Sequence, residues 1–107
     1  MGSKLVLVTG ASSGIGEATA KRYGANGARV LLLARDAERL DAVAGAIRRE
    51  GGMSTAFPLD LSDAQAIAEV SARITREAGT PDILINNAGA GRWRKLLETT
   101  PEEALAM

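Results

Sequence analysis

The chain has no cysteine and no histidine. The first absence excludes a disulfide framework, a thiolate metal site and a cysteine nucleophile within these 107 residues. The second excludes imidazole catalysis and the usual zinc ligand sets. Net charge is lacking too: 13 basic residues balance 13 acidic ones. The bulk attraction on which nucleic-acid binders rely is therefore missing, and no nucleic-acid partner is expected. No apolar run approaches the ~18 residues of a membrane span. The opening "MGSKLVLV" enters a strand too soon to serve as a signal peptide. Val6 stands where myristoylation wants Ser or Thr, so the expected compartment is the cytoplasm.

What is present is a regular alternation. A length of 107 residues allows one domain, and a hydrophobic content of 46% suits a globular one. Leu5 to Val8 is an apolar run of strand length, fit for burial on both faces. A helix is predicted from about Gly14, with Ile15, Ala18 and Tyr23 inward, ending near Asn26-Gly27. Gly24 within it costs about 1 kcal/mol against alanine, which points to a close packing contact. Val30 to Ala34 reads as a second buried strand. Asp36 can cap the next helix, whose Leu40, Val43, Ala44 and Ile47 follow the i, i+3, i+4, i+7 pattern and which Gly51-Gly52 stops. Ser54 to Leu59 is a weaker strand, and Pro58 suits it to a sheet edge.

Ser62 or Asp63 opens a third helix, with Ile67, Val70, Ser71 and Ile74 on one face and Gly79 beyond its end. Pro81-Asp82 leads into a fourth strand, Ile83 to Asn86. Repeated β-α units with apolar strands predict an α/β fold, a doubly wound parallel sheet of four strands and three crossover helices, in the order 3-2-1-4. Near the end, Thr100-Pro101-Glu102-Glu103 is a complete helix-start signal with little chain after it. It suggests a chain cut inside that helix.

Between the first strand and helix stands Thr9-Gly10-Ala11-Ser12-Ser13-Gly14-Ile15-Gly16. A helix N-terminus offers unpaired N–H groups and the positive end of its dipole, so it attracts anions. Glycines let the main chain approach closely, and the hydroxyls of Ser12 and Ser13 add donors. Such a turn needs no reactive group in order to hold a phosphate. The alternative is a turn that merely connects strand to helix. The P-loop pattern does not fit, since Ile15-Gly16 stands where Gly-Lys is required.

The stretch "TGASSGIG" closely resembles the cofactor motif of the short-chain dehydrogenase/reductase family, and three later stretches match it in order. In "LLLARD" the resemblance implies a side chain facing the adenosine ribose. Arg35 there fits the 2′-phosphate of NADP, whereas Asp36 fits the free ribose of NAD or a plain helix cap. Some NADP enzymes of the family also carry a basic residue just before the middle glycine, where this chain has Ser13. In "LDLSD" the likeness makes Asp60 an acceptor from the adenine amino group and lays Leu61 beside the ring, with a simple helix-proximal acid as the alternative. In "DILINNAG" it makes Asn86 and Asn87 tie neighbouring strands and border the ribose, while Gly89 lets the cofactor pass. A purely structural asparagine pair is the alternative.

The resemblance thus implies the N-terminal part, residues 1–107, of a single NAD(P)-binding Rossmann domain. The cofactor set is Gly10, Ser12, Ser13, Gly14, Ile15, Gly16, Arg35, Asp60, Leu61, Asn86, Asn87 and Gly89, with NADP expected and NAD the alternative. The implied reaction is hydride transfer with a small carbonyl or alcohol substrate, in a protein that is a homo-oligomer when intact. The family's Tyr-x-x-x-Lys pair is absent: Tyr23, the single tyrosine, is followed four residues later by Gly27. Tyr23 is expected to pack in the core, and no catalytic or metal-binding residue is assigned. The basic stretch Gly91 to Leu97 is read as a solvated loop that could border the nicotinamide or substrate. The rival reading is a non-catalytic dinucleotide-binding module or regulatory fragment.

Overall fold

The computed structural model describes residues 4–12 and 14–86. Along them run β1 (Leu5–Thr9), α1 (Gly14–Ala25), β2 (Arg29–Ala34), α2 (Ala37–Arg49), β3 (Met53–Pro58), α3 (Ala64–Glu77) and β4 (Ile83–Asn86). All strand pairs are parallel, in the order β3-β2-β1-β4. The chain steps outward from β1 to β3 and then returns to the other side of β1. That reversal puts a crevice at the carboxyl ends of β1 and β4, where doubly wound sheets take their ligands.

Strand alternation divides the core in two. Val6, Val8, Val30, Leu32 and Ala34 pack with Ala20, Leu40, Val43, Ala44 and Ile47 beneath α1 and α2. On the opposite face Leu5, Leu7, Leu31 and Leu33 meet Phe57, Leu59, Ile67 and Ile74 under α3. Burial on both faces explains why β1 and β2 are unbroken apolar runs. β3 is an edge strand, as Pro58 predicts. Inside α2 the four predicted core positions are all buried, whereas α3 buries Ile67 and Ile74 and leaves Val70 and Ser71 half-covered.

Helix ends follow the local signals. Asp36 and Asp63 are the N-caps of α2 and α3. After α1, Ala28 N–H donates to the Tyr23 carbonyl and Gly27 N–H to the Gly24 carbonyl, a Schellman ending that needs the left-handed φ of 90° at Gly27.

The inward face of α1 differs from the expectation. Ile15 is 76% exposed and Ala18 is exposed as well. The stripe Gly16, Ala20, Gly24 faces the core instead. Small residues one helical turn apart let α1 lie close to the sheet and to α2. A Cβ at Gly24 would stand 2.7 Å from Ile47 Cγ2, so the close contact expected there is present. Tyr23 packs half-buried against the α1–α2 side of the core. Among the described residues no helix is long and apolar enough to cross a membrane. The basic stretch Gly91–Leu97 and the helix start at Thr100-Pro101-Glu102-Glu103 lie outside the described residues.

Candidate functional site

The turn after β1 is shaped by close backbone approach. Gly10 and Gly14 have φ of 64° and 60°, a region that costs an L-residue with a Cβ about 1–2 kcal/mol. Gly16 is buried, and a Cβ there would overlap the Gly10 carbonyl. The first turn of α1 is therefore seated on the end of the strand with no room for a side chain between them. Ala11 N–H donates to the Leu33 carbonyl at 3.2 Å, which ties the turn across to β2. Ser12 is half-buried at the turn. Ile15 projects its side chain into solvent at the start of α1, which accounts for its absence from the core. Ser13 lies outside the described residues.

Each of the other described candidates also sits at the carboxyl end of a strand. Arg35 follows β2 directly and is exposed. Asp36 turns its carboxylate to its own helix, accepting from Arg39 N–H at 3.1 Å. Asp60 follows β3; its Oδ1 accepts from Ser62 N–H at 2.9 Å and from the Ser62 hydroxyl at 2.7 Å. Those two donors, with a smaller contribution from the nearby Arg35 guanidinium, hold the Asp60 carboxyl below its ordinary range. Oδ1 is thus engaged within the turn, leaving Oδ2 as the atom that can accept from a ligand. Leu61 is half-buried against the α3 side of the core.

At the end of β4, Asn86 Oδ1 accepts from the buried Thr9 hydroxyl at 3.0 Å, a bond that joins β4 to β1. Asn87 and Gly89 lie outside the described residues. Thr9 was not among the sequence candidates. Its signals are its place at the head of "TGASSGIG" and a polar residue closing an otherwise apolar strand.

Two clefts open between α1 and α2. The larger, about 400 Å³, lies toward the helix C-termini, lined by Lys21, Arg22, Ile47 and Glu50 among others, away from the glycine turn. The second, about 320 Å³, runs from Ser12 along Glu17, Lys21, Arg39 and Arg49. It brings the hydroxyl of the turn and a first-turn arginine of α2 to one cavity. Arg39 too was missed in the sequence, where it reads as an ordinary exposed helix residue.

A parallel α/β sheet with a glycine turn at its switch point, and polar residues at each strand's carboxyl end, defines a Rossmann fold. The short chain dehydrogenase family pattern matches residues 4–107, and the chain belongs to that family. It is 48% identical over 96 residues to a fatty acyl-CoA reductase of Acinetobacter baylyi, covering 90% of this chain and 32% of that protein. A metagenomic short-chain oxidoreductase solved with NADP superposes with a TM-score of 0.79 at 42% identity, covering 99% of this chain and 48% of that one. The L-sorbose reductase of Gluconobacter frateurii, solved with NADPH and L-sorbose, superposes with a TM-score of 0.76 at 30% identity, over 99% and 41% of the two chains. The chain thus spans less than half the length of each of these relatives.

Proposed function

We propose that residues 1–107 are the N-terminal, cofactor-binding part of a single Rossmann domain in an NADP-dependent oxidoreductase, which transfers hydride between NADP(H) and a carbonyl or alcohol substrate. The observation that carries this reading is the seating of Gly16 on the Gly10 carbonyl. It leaves no side chain between the strand end and the first turn of α1, which suits close approach of a pyrophosphate to the first amides of that helix. When bound, the nicotinamide supplies or accepts the hydride. The chain's own residues bind and orient the cofactor. Gly10, Ser12, Ser13, Gly14, Ile15 and Gly16 hold the pyrophosphate and adjoining ribose, Arg35 faces the 2′-phosphate, and Asp60 and Leu61 border the adenine. Asn86, Asn87 and Gly89 line the path toward the nicotinamide. Family membership and relatives solved with NADP and NADPH support the choice of cofactor.

No acid–base group is assigned within these residues, because Tyr23 is built into the α1–α2 core. The proton donor for a carbonyl oxygen is placed in the remainder of the protein, as is most of an oligomer interface. The cytoplasm is the compartment that suits such an enzyme.

The test is calorimetric. The protein should bind NADP at least tenfold more tightly than NAD, the scale of one charge-assisted hydrogen bond at about 1.4 kcal/mol per tenfold. Arg35→Asp should cut that preference by about tenfold or more, because an acid repels the phosphate while accepting from free ribose hydroxyls. A wild type that prefers NAD, or a preference indifferent to Arg35, would reassign the ribose contact to Asp36.

A further inference from the structure

In the cleft between α1 and α2, positive charge is left over. Three cations, Lys21, Arg39 and Arg49, share it with a single acid, Glu17. Glu17 is already engaged, accepting from Lys21 at 2.8 Å. Arg39 and Arg49 make no ion pair among the described residues. Asp36, the acid nearest Arg39 in sequence, has its Oδ1 on the Arg39 backbone amide rather than on the guanidinium. Arg35 stands differently. It makes no ion pair among the described residues either, but it faces an acid, Asp60, whose ionised form it favours.

The cleft with surplus charge opens at Ser12, on the glycine turn. A cavity of one sign attracts an anion, and a phosphomonoester, carrying close to two charges at neutral pH, is drawn more strongly than a phosphodiester. In NADP the one phosphomonoester is on the adenosine ribose, whereas NAD has none.

We infer that Arg39, which lines the α1–α2 cleft together with Ser12, is a specificity-determining residue that grips the ribose phosphomonoester from the cleft while Arg35 faces it from the end of β2. This rests on the dinucleotide reading above. Selection of NADP is then divided between two arginines four positions apart, one on the loop and one on the first turn of α2. Removing either alone leaves a reduced preference, and removing both abolishes it.

The experiment measures dissociation constants for NADP and NAD by calorimetry at one low salt concentration. It compares wild type, Arg39→Gln, Arg39→Lys, Arg35→Gln and the double Gln variant. Arg39→Gln should weaken NADP about tenfold, the lower end for a screened charge-assisted contact, and leave NAD within about twofold. Arg39→Lys should recover part of the loss, and the double variant should bind the two dinucleotides alike. Arg22→Gln is the control, since it removes the same charge from the larger cleft at the far end of α1. Unchanged NADP affinity in Arg39→Gln, equal weakening of NADP and NAD, or an equal loss in Arg22→Gln would each overturn the inference. Failure of the underlying reading looks different: the wild type itself binds no dinucleotide or shows no preference.

Discussion

Three helices begin at the carboxyl edge of one sheet, and they begin in two ways. At α2 and α3 an aspartate closes the entrance. Asp36 accepts from one amide, and Asp63 accepts from the Gln65 and Ala66 amides at 3.0 and 3.2 Å. At α1 the entrance is built of glycines, with Gly10 and Gly14 at positive φ and Gly16 seated on the strand end, and the residue at its N-cap position, Ser13, lies outside the described residues. The same backbone dipole and the same orphan donors are present at all three helices. What differs is whether the chain answers those donors with its own carboxylate. A capped start contributes stability and is closed to an external anion. The glycine start has no aspartate at its entrance, and in the proposed reading it is the one that takes the anion. In that reading, structure and binding fall to different helices of one repeating unit.

The sharpest way to break this contrast is Gly16→Val. Its Cβ would meet backbone rather than a flexible side chain, the Gly10 carbonyl, so the strand end or the helix must move. Overpacking of this kind costs typically about 1–3 kcal/mol, and the displaced turn should lose dinucleotide binding altogether. Thermal unfolding and calorimetry on the same sample check both parts. Retained affinity would mean that the amides of α1 are not the binding element.

A smaller and opposite pattern is expected at the capped helices. Asp63→Ala should cost about 1 kcal/mol in denaturant unfolding and leave dinucleotide affinity unchanged. Asp36→Ala should cost a similar amount. A large change in NAD affinity for Asp36→Ala would show that this carboxylate serves a ligand as well as its helix.

The smallest effect belongs to Asp60. Its folded pKa lies below the ordinary 3.8, chiefly because Ser62 donates twice to the ionised form. A depressed folded pKa adds stability above the unfolded value, and that addition is lost as pH falls through the folded one. The difference in midpoint between wild type and Asp60→Asn should therefore be constant from neutral pH down to about 5. It should shrink below about 4. A difference that grows on acidification would reverse the sign and remove the Ser62 bonds as its cause.

Much of the fold can be read from residues close together in the chain. The element order, the caps at Asp36 and Asp63, the stops at Gly27 and Gly51 and the inward face of α2 all rest on patterns within one element and its ends. Capping and amphipathic period act at that range, so a single sequence carries them. The glycine turn belongs with these, because its conformation is a property of the glycines themselves. Tertiary structure decided the rest. Whether Ile15 or Gly16 faces inward depends on how near α1 lies to the end of β1, a distance that helical period does not encode. Thr9 meets Asn86 across 77 positions only because β4 returns beside β1. That Arg35 acts on Asp60, and that Arg39 and Ser12 line one cleft, likewise depends on which elements become neighbours. Charge and side-chain type are written in the sequence, but whether a charge is cancelled or left over depends on distance in three dimensions, and packing sets that distance.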